Sequence, residues 1–235
     1  MIVNGIDIDI VRKNIKNIHL GVYPPEGKVR VAAPNNTTDD KIRLLVVSRL
    51  KWIKRQQEKF LNQERQSKRE YVSGESHYLW GDRYILRVIE RDNQNSKVEI
   101  ENKRYINLYV YKGTPVEKKE EILNKWYRNQ IKEVIPRLLD KWQPIIDVEV
   151  KEWGIRKMQT KWGTCNREAS RIWFNLYLAK RPQRCLEYVM VHELIHLIER
   201  NHNEKFKELM DTYYPNWRTV RDELNSFILE HFQAD

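Results

Sequence analysis

The chain has 235 residues, 43 Lys+Arg against 33 Asp+Glu, a net charge of +10 and 40% hydrophobic residues. Its uncharged stretches fall far short of the ~20 apolar residues that span a bilayer, and 8 Trp, 12 Tyr and 5 Phe supply too much core material for a disordered chain. Eight glycines leave no glycine-rich phosphate loop, and Cys165 and Cys185 alone make no disulfide framework. The start, MIVNGIDIDIVRKN, lacks a basic segment followed by an apolar run, so the expectation is a reduced, cytoplasmic protein without a membrane segment.

In chain order, the first 35 residues read as strands. Ile6, Ile8 and Ile10 alternate with Asp7 and Asp9, and residues 18–23 and 29–32 flank a turn at Pro24-Pro25-Glu26-Gly27. A long helix is predicted over 41–69, opened by Thr37-Thr38-Asp39-Asp40. Ile42, Leu45, Val46, Leu50, Trp52, Ile53, Phe60 and Leu61 form its apolar stripe, and Lys51, Lys54, Arg55, Arg65 and Arg69 lie opposite. Residues 41–69 hold 10 basic and 2 acidic side chains, whereas 113–235 carry 21 basic and 19 acidic ones. This local excess reads either as a footprint for nucleic acid or as a solvated helix face.

Strands are predicted at 77–80, 84–89, 98–100 and 105–111, with turns at Gly81-Asp82 and 92–95. Thr114-Pro115-Val116-Glu117 has capping-box order and opens a helix that Pro136 is expected to kink or interrupt. Short strands follow near 148–150, 155–160 and 171–176, then helices from Pro182 to about Arg200, over 203–213 and over 217–232. No internal repeat is evident. The composition shift near Gly113 suggests a β-rich region with a basic helix over 1–112 and a second domain over 113–235, an α+β architecture.

The chemistry concentrates in Val191-His192-Glu193-Leu194-Ile195-His196, followed by Asn201-His202. His192 and His196 lie about 40° apart on a helical wheel, so both imidazoles can reach one ion, and Glu193 projects about 100° from His192. H-E-x-x-H supplies two zinc ligands and a general base. His202 becomes a third nitrogen ligand if the chain turns back, with Asn201 a candidate left-handed residue for that turn, and water would take the open position. Val189, Met190, Val191, Leu194, Ile195, Leu197 and Ile198 surround the motif, which marks a buried helix where polar groups need a partner such as a metal. His19, His77 and His231 read as ordinary hydrogen-bonded or surface residues, and the two cysteines as buried small side chains.

Lys161-Trp162-Gly163-Thr164-Cys165, Ile172-Trp173-Phe174-Asn175, the H-E-L-I-H run and Asn201-His202 together resemble the YgjP-like metallopeptidase family, which belongs with the SprT-like proteases to a wider group of small zincins. The N-terminal strands, Trp52-Ile53 and Leu79-Trp80-Gly81 extend the likeness over nearly the whole chain. The resemblance implies a zincin-like domain over 113–235, one Zn²⁺ per chain held by His192, His196 and His202, and Glu193 as the catalytic residue. Thr164 stands where Ser is more usual, and Lys207 follows Phe206 where an aromatic residue is often found. The expected activity is hydrolysis of a peptide or protein substrate by a metal-activated water. Tyr177, Tyr213, Tyr214 and Arg218 are candidates for a second electrophile.

Candidate substrate-contacting residues are Trp162, Gly163, Thr164, Trp173, Asn175 and Tyr177. Residues 162–165 read as a site wall or as a tight turn. Strand 171–176 reads as an edge that pairs with a peptide or as an interior strand. Two alternatives stand beside the peptidase: a metal-dependent nucleotide (UTP) pyrophosphatase, an activity attributed to some relatives, and a protease brought to nucleic acid by residues 41–69.

Overall fold

A computed structural model describes residues 1–23, 26–61, 69–92, 95–158 and 160–226, with the backbone alone at 59–61. Arg65, His231 and the end of the last predicted helix lie outside the described residues. Six α-helices and three sheets make a mixed α+β architecture among those described. The described residues divide into two compact units, one running from Met1 to Arg69 and the other starting at Glu70. The sequence boundary near Gly113 falls inside the second unit. The strands over 76–111 share one core with the helices that follow, through Leu86, Ile106 and Leu108.

In the first unit, β1 (Ile2–Val3), β2 (Ile6–Lys13), β3 (His19–Tyr23) and β4 (Lys28–Pro34) form a sheet of order β1-β2-β4-β3. Ile8, Val29 and Val31 point to one face and are buried with Ile42, Val46 and Ile53. The predicted long helix is two: α1 (Asp39–Ser48) and α2 (Leu50–Leu61), separated at Arg49. Thr38 occupies the N-cap position but makes no side-chain cap bond. Trp52 is 40% exposed rather than in the core.

The second unit begins with β5 (Ser76–Leu79), β6 (Asp82–Arg91), β7 (Lys97–Glu101) and β8 (Tyr105–Tyr111), of order β5-β6-β8-β7. This repeats the first sheet. Each has an antiparallel two-residue hairpin, a parallel central pair and an antiparallel outer pair. Both hairpins turn on two positive-φ residues, Asn4-Gly5 and Trp80-Gly81, the I′ geometry that matches strand twist. In both, four residues separate the last strand from the next helix. The repeat invisible in the sequence is therefore present as topology.

Helix α3 (Val116–Ile146) runs for 31 residues straight through Pro136 and Pro144. Leu123, Tyr127, Ile131, Ile135, Leu139, Trp142 and Ile146 form one unbroken buried stripe, and Pro136 sits on the exposed side. Burial on both sides of the proline outweighs the lost hydrogen bond. Residues 148–150 are accordingly not a strand, and Thr114 does not cap α3, because its hydroxyl donates to the Tyr111 carbonyl at 2.6 Å.

The third sheet contains β9 (Glu152–Arg156), β10 (Gly163–Asn166) and β11 (Arg171–Asn175), of order β10-β11-β9. β11 is the interior strand and β10 an edge. A 3₁₀ turn over Leu176–Lys180 then leads to α4 (Gln183–Ile195), α5 (Glu204–Tyr213) and α6 (Trp217–Ser226). Among the described residues, no helix is long and apolar enough to cross a membrane.

Candidate metal centre

α4 is buried on nearly every side, with Cys185, Leu186, Tyr188, Val189, Met190, Val191, Leu194 and Ile195 all inside the core. Its last turn carries His192 and Glu193 and ends at His196, the C-cap. The chain then turns back and places His202 just before α5. Asn201 is not left-handed. Its backbone N–H donates to Glu199 Oε1 at 3.2 Å and its carbonyl accepts from the Asn203 N–H at 2.8 Å. Asn203 caps α5 by accepting from the Phe206 N–H at 3.0 Å.

The three imidazoles converge. His202 Nε2 lies 3.0 Å from His192 Nε2 and 3.1 Å from His196 Nε2. The His196 Nδ1–H donates to the Glu199 carbonyl at 3.0 Å, which leaves the Nε2 lone pair facing the other two rings. Burial, then the neighbouring imidazoles His196 and His202, push His192 down to about 3, so its ring is neutral, the form that ligates metals. Tetrahedral bonds of ~2.0–2.1 Å to zinc place two nitrogens about 3.3 Å apart. The donor set therefore fits a zinc-sized ion.

Phe206 is 1% exposed, and its ring centroid lies 4.9, 4.8 and 4.7 Å from those of His192, His196 and His202. It is the floor that packs all three rings, and the histidine spacing alone did not reveal it. Phe206→Ala is expected to cost ~3–5 kcal/mol of stability by cavity formation. Phe206→Leu is expected to keep most of that stability yet weaken metal binding by at least about tenfold, because the rings lose their common support. A chelator competition on the Leu variant measures this.

Glu193 is 5% exposed and makes no hydrogen bond among the described residues. Burial pushes its carboxyl up to about 8, and the Lys161 charge pulls the other way. The first residue of β10 covers it: a Cβ on Gly163 would lie 2.5 Å from Glu193 Oε1 and 2.8 Å from its Cγ. Residues 162–165 are therefore a site wall rather than a tight turn. Gly163→Ala is expected to displace the Glu193 carboxyl and lower kcat about tenfold or more with little loss of metal. Parallel measurement of kcat and metal content tests this.

A cleft of about 1050 Å³ opens over these groups. Trp162, Gly163 and Thr164 line it with the triad and Glu193, whereas Trp173, Asn175 and Tyr177 do not. Trp173 lies across Gly154, 2.1 Å from where a Cβ would stand, under the Arg156 guanidinium. Asn175 is a brace: its Nδ2 donates to the carbonyls of Met158 (2.8 Å) and Lys161 (2.7 Å), fixing the segment that leads into β10. Tyr177 is buried against Lys180. Tyr213, Tyr214 and Arg218 are also absent from the lining. Tyr214 donates to the Arg184 carbonyl and Arg218 pairs with Asp211. The lining includes Tyr188, four residues before His192, and Trp217, neither singled out by the sequence reading.

Three histidines converge beside a buried carboxylate, an arrangement that could hold a metal ion. The chain belongs to the family described as YgjP-like, metallopeptidase domain, whose model matches residues 16–227. Membership makes it a metallopeptidase-domain protein, a metal-dependent peptidase in general terms. No curated protein matches the chain. The metallopeptidase zymogen abylysin of Pyrococcus abyssi is 15% identical with a TM-score of 0.38, and the match covers 42% of this chain and 99% of that one. The zymogen of Methanocaldococcus jannaschii jannalysin is 20% identical with a TM-score of 0.35, covering 39% and 93%.

Proposed function

We propose that the chain is a zincin-like peptidase in which His192, His196 and His202 hold one zinc per chain and Glu193 is the general base. The observation that carries this reading is the convergence of three imidazole nitrogens, two of the separations being 3.0 and 3.1 Å, beside a carboxylate enclosed by β10. Zinc bound there supplies a Lewis acid that polarises the scissile carbonyl and acidifies water. Beside a held cation Glu193 ionises, takes the proton of the attacking water and passes it to the leaving amide nitrogen. Burial excludes competing water from that carboxylate. β10, whose outer side has no strand partner among the described residues, offers main-chain groups to an extended peptide. The interior position of β11 removes it from that role.

A pyrophosphatase is the second reading, favoured by cationic side chains in the cleft. Against it, the group among the described residues that could hold a metal ion is the three histidines, not a carboxylate cluster of the kind Mg²⁺ takes. Wild type and Glu193→Gln assayed in parallel on peptide libraries and on UTP separate the two. Peptide cleavage lost in the variant supports the peptidase, and pyrophosphate release from UTP lost in the variant supports its rival. Recruitment by nucleic acid through residues 41–69 draws on the exposed Lys51, Lys54 and Arg55 of α2. A gel shift tests it: absence of binding at low salt removes the idea.

A further inference from the structure

The charged side chains that line the cleft are unevenly chosen. Lys161, Arg167, Arg200, Lys207 and Arg221 are cations, and the acids are Glu193 and Glu168. Lys207 pairs with Glu204 and Arg221 with Asp222. Lys161, Arg167 and Arg200 are exposed and make no ion pair or side-chain hydrogen bond among the described residues. Their placement follows the strand edge. Lys161 lies two residues before β10 and Arg167 directly after it. The four residues of β10 between them extend over roughly 10 Å at ~3.4 Å per residue. Arg200 stands on the other wall, two residues before His202.

An extended peptide along the edge of β10 would therefore meet a cation near each end and a third across the cleft, with the scissile bond over Glu193 between them. Fixed like charges in a concave, partly apolar cleft raise the local concentration of the opposite charge. We infer that this cleft selects protein segments bearing carboxylates on both sides of the scissile bond, through Lys161, Arg167 and Arg200. The inference names the substrate class of the site and rests on the peptidase reading above.

The test uses the full chain and matched fluorescent decapeptides with Glu, Ala or Lys at the second and third positions on either side of the centre. Each is made with a free or an amidated C-terminus. Binding is read by anisotropy on Glu193→Gln, independently of turnover, and cleavage on wild type. The Glu peptide is expected to bind about tenfold more tightly than the Lys peptide at low salt. The preference should appear in KM rather than kcat and collapse above ~0.2 M salt. The triple variant Lys161→Gln, Arg167→Gln, Arg200→Gln is expected to lose it while still cleaving the Ala peptide.

Equal binding of Glu, Ala and Lys peptides, with the Ala peptide cleaved by wild type and not by Glu193→Gln, overturns the inference and leaves the peptidase intact. A preference that follows the free C-terminus instead of the side chains also overturns it. So does displacement of the Glu peptide by single-stranded DNA at lower concentrations than by unlabelled peptide. Cleavage of none of the peptides overturns the peptidase reading and the inference with it.

Discussion

Glu193→Gln is expected to yield a folded, metal-binding protein whose kcat/KM for peptide cleavage falls by ~10²–10⁴. Glutamine has nearly the same volume as the 5% exposed glutamate and still fits beneath Gly163, so the core of α4 is preserved. The triad nitrogens are untouched. What disappears is the ability to accept a proton beside the attacking water. Because that proton moves in the transition state, the loss belongs in kcat rather than KM. Metal content by mass spectrometry and kcat from progress curves are measured on the same preparation. A Gln variant that retains metal and near-normal kcat would assign the base elsewhere.

His196→Ala is expected to lower metal affinity by more than the ~10–100-fold that removal of an outer partner costs, because a ligand itself is lost. His196 is the triad member whose orientation is most clearly set. Its Nδ1–H is held by the Glu199 carbonyl at 3.0 Å, and its ring packs on Phe206. Alanine removes that anchor and leaves His192 and His202 to hold the ion alone. Purified protein should fall from about one zinc per chain to a small fraction, and hydrolysis should fall with it. His77→Ala, a buried histidine outside the triad, should retain zinc even where it destabilises the fold. Loss of zinc in both variants alike would point to general unfolding rather than ligation.

The convergence of the three histidines was legible because its geometry is local. Histidines four apart on one helix face are forced together, and His202 needs only one turn of chain to return. The alternating strands of both sheets were legible for the same reason, since period-2 burial is written in consecutive residues such as Ile6, Ile8 and Ile10. What the sequence hid depends on partners distant in the chain. The two sheets share an order that becomes visible only when β4 inserts between β2 and β3, and β8 between β6 and β7. Pro136 looked like a helix break until the stripe from Leu123 to Ile146 was seen buried on both sides of it. β10 is four residues, Gly-Thr-Cys-Asn, too short to show alternation, and its edge position depends on pairing with β11. The cleft gathers Lys161, Arg200 and Trp217 from separate segments, so no spacing rule could have found them. Trp173, Asn175 and Tyr177 do not line the cleft: Asn175 braces Met158 and Lys161, and Tyr177 is buried in the 3₁₀ turn after β11.

The most direct test is titration of chelator-stripped protein with zinc while peptide hydrolysis is followed. Stripped protein is expected to show no cleavage, and added zinc to give a linear rise to a plateau at about one equivalent per chain. Cleavage that persists after complete metal removal, and that added zinc does not change, would contradict it.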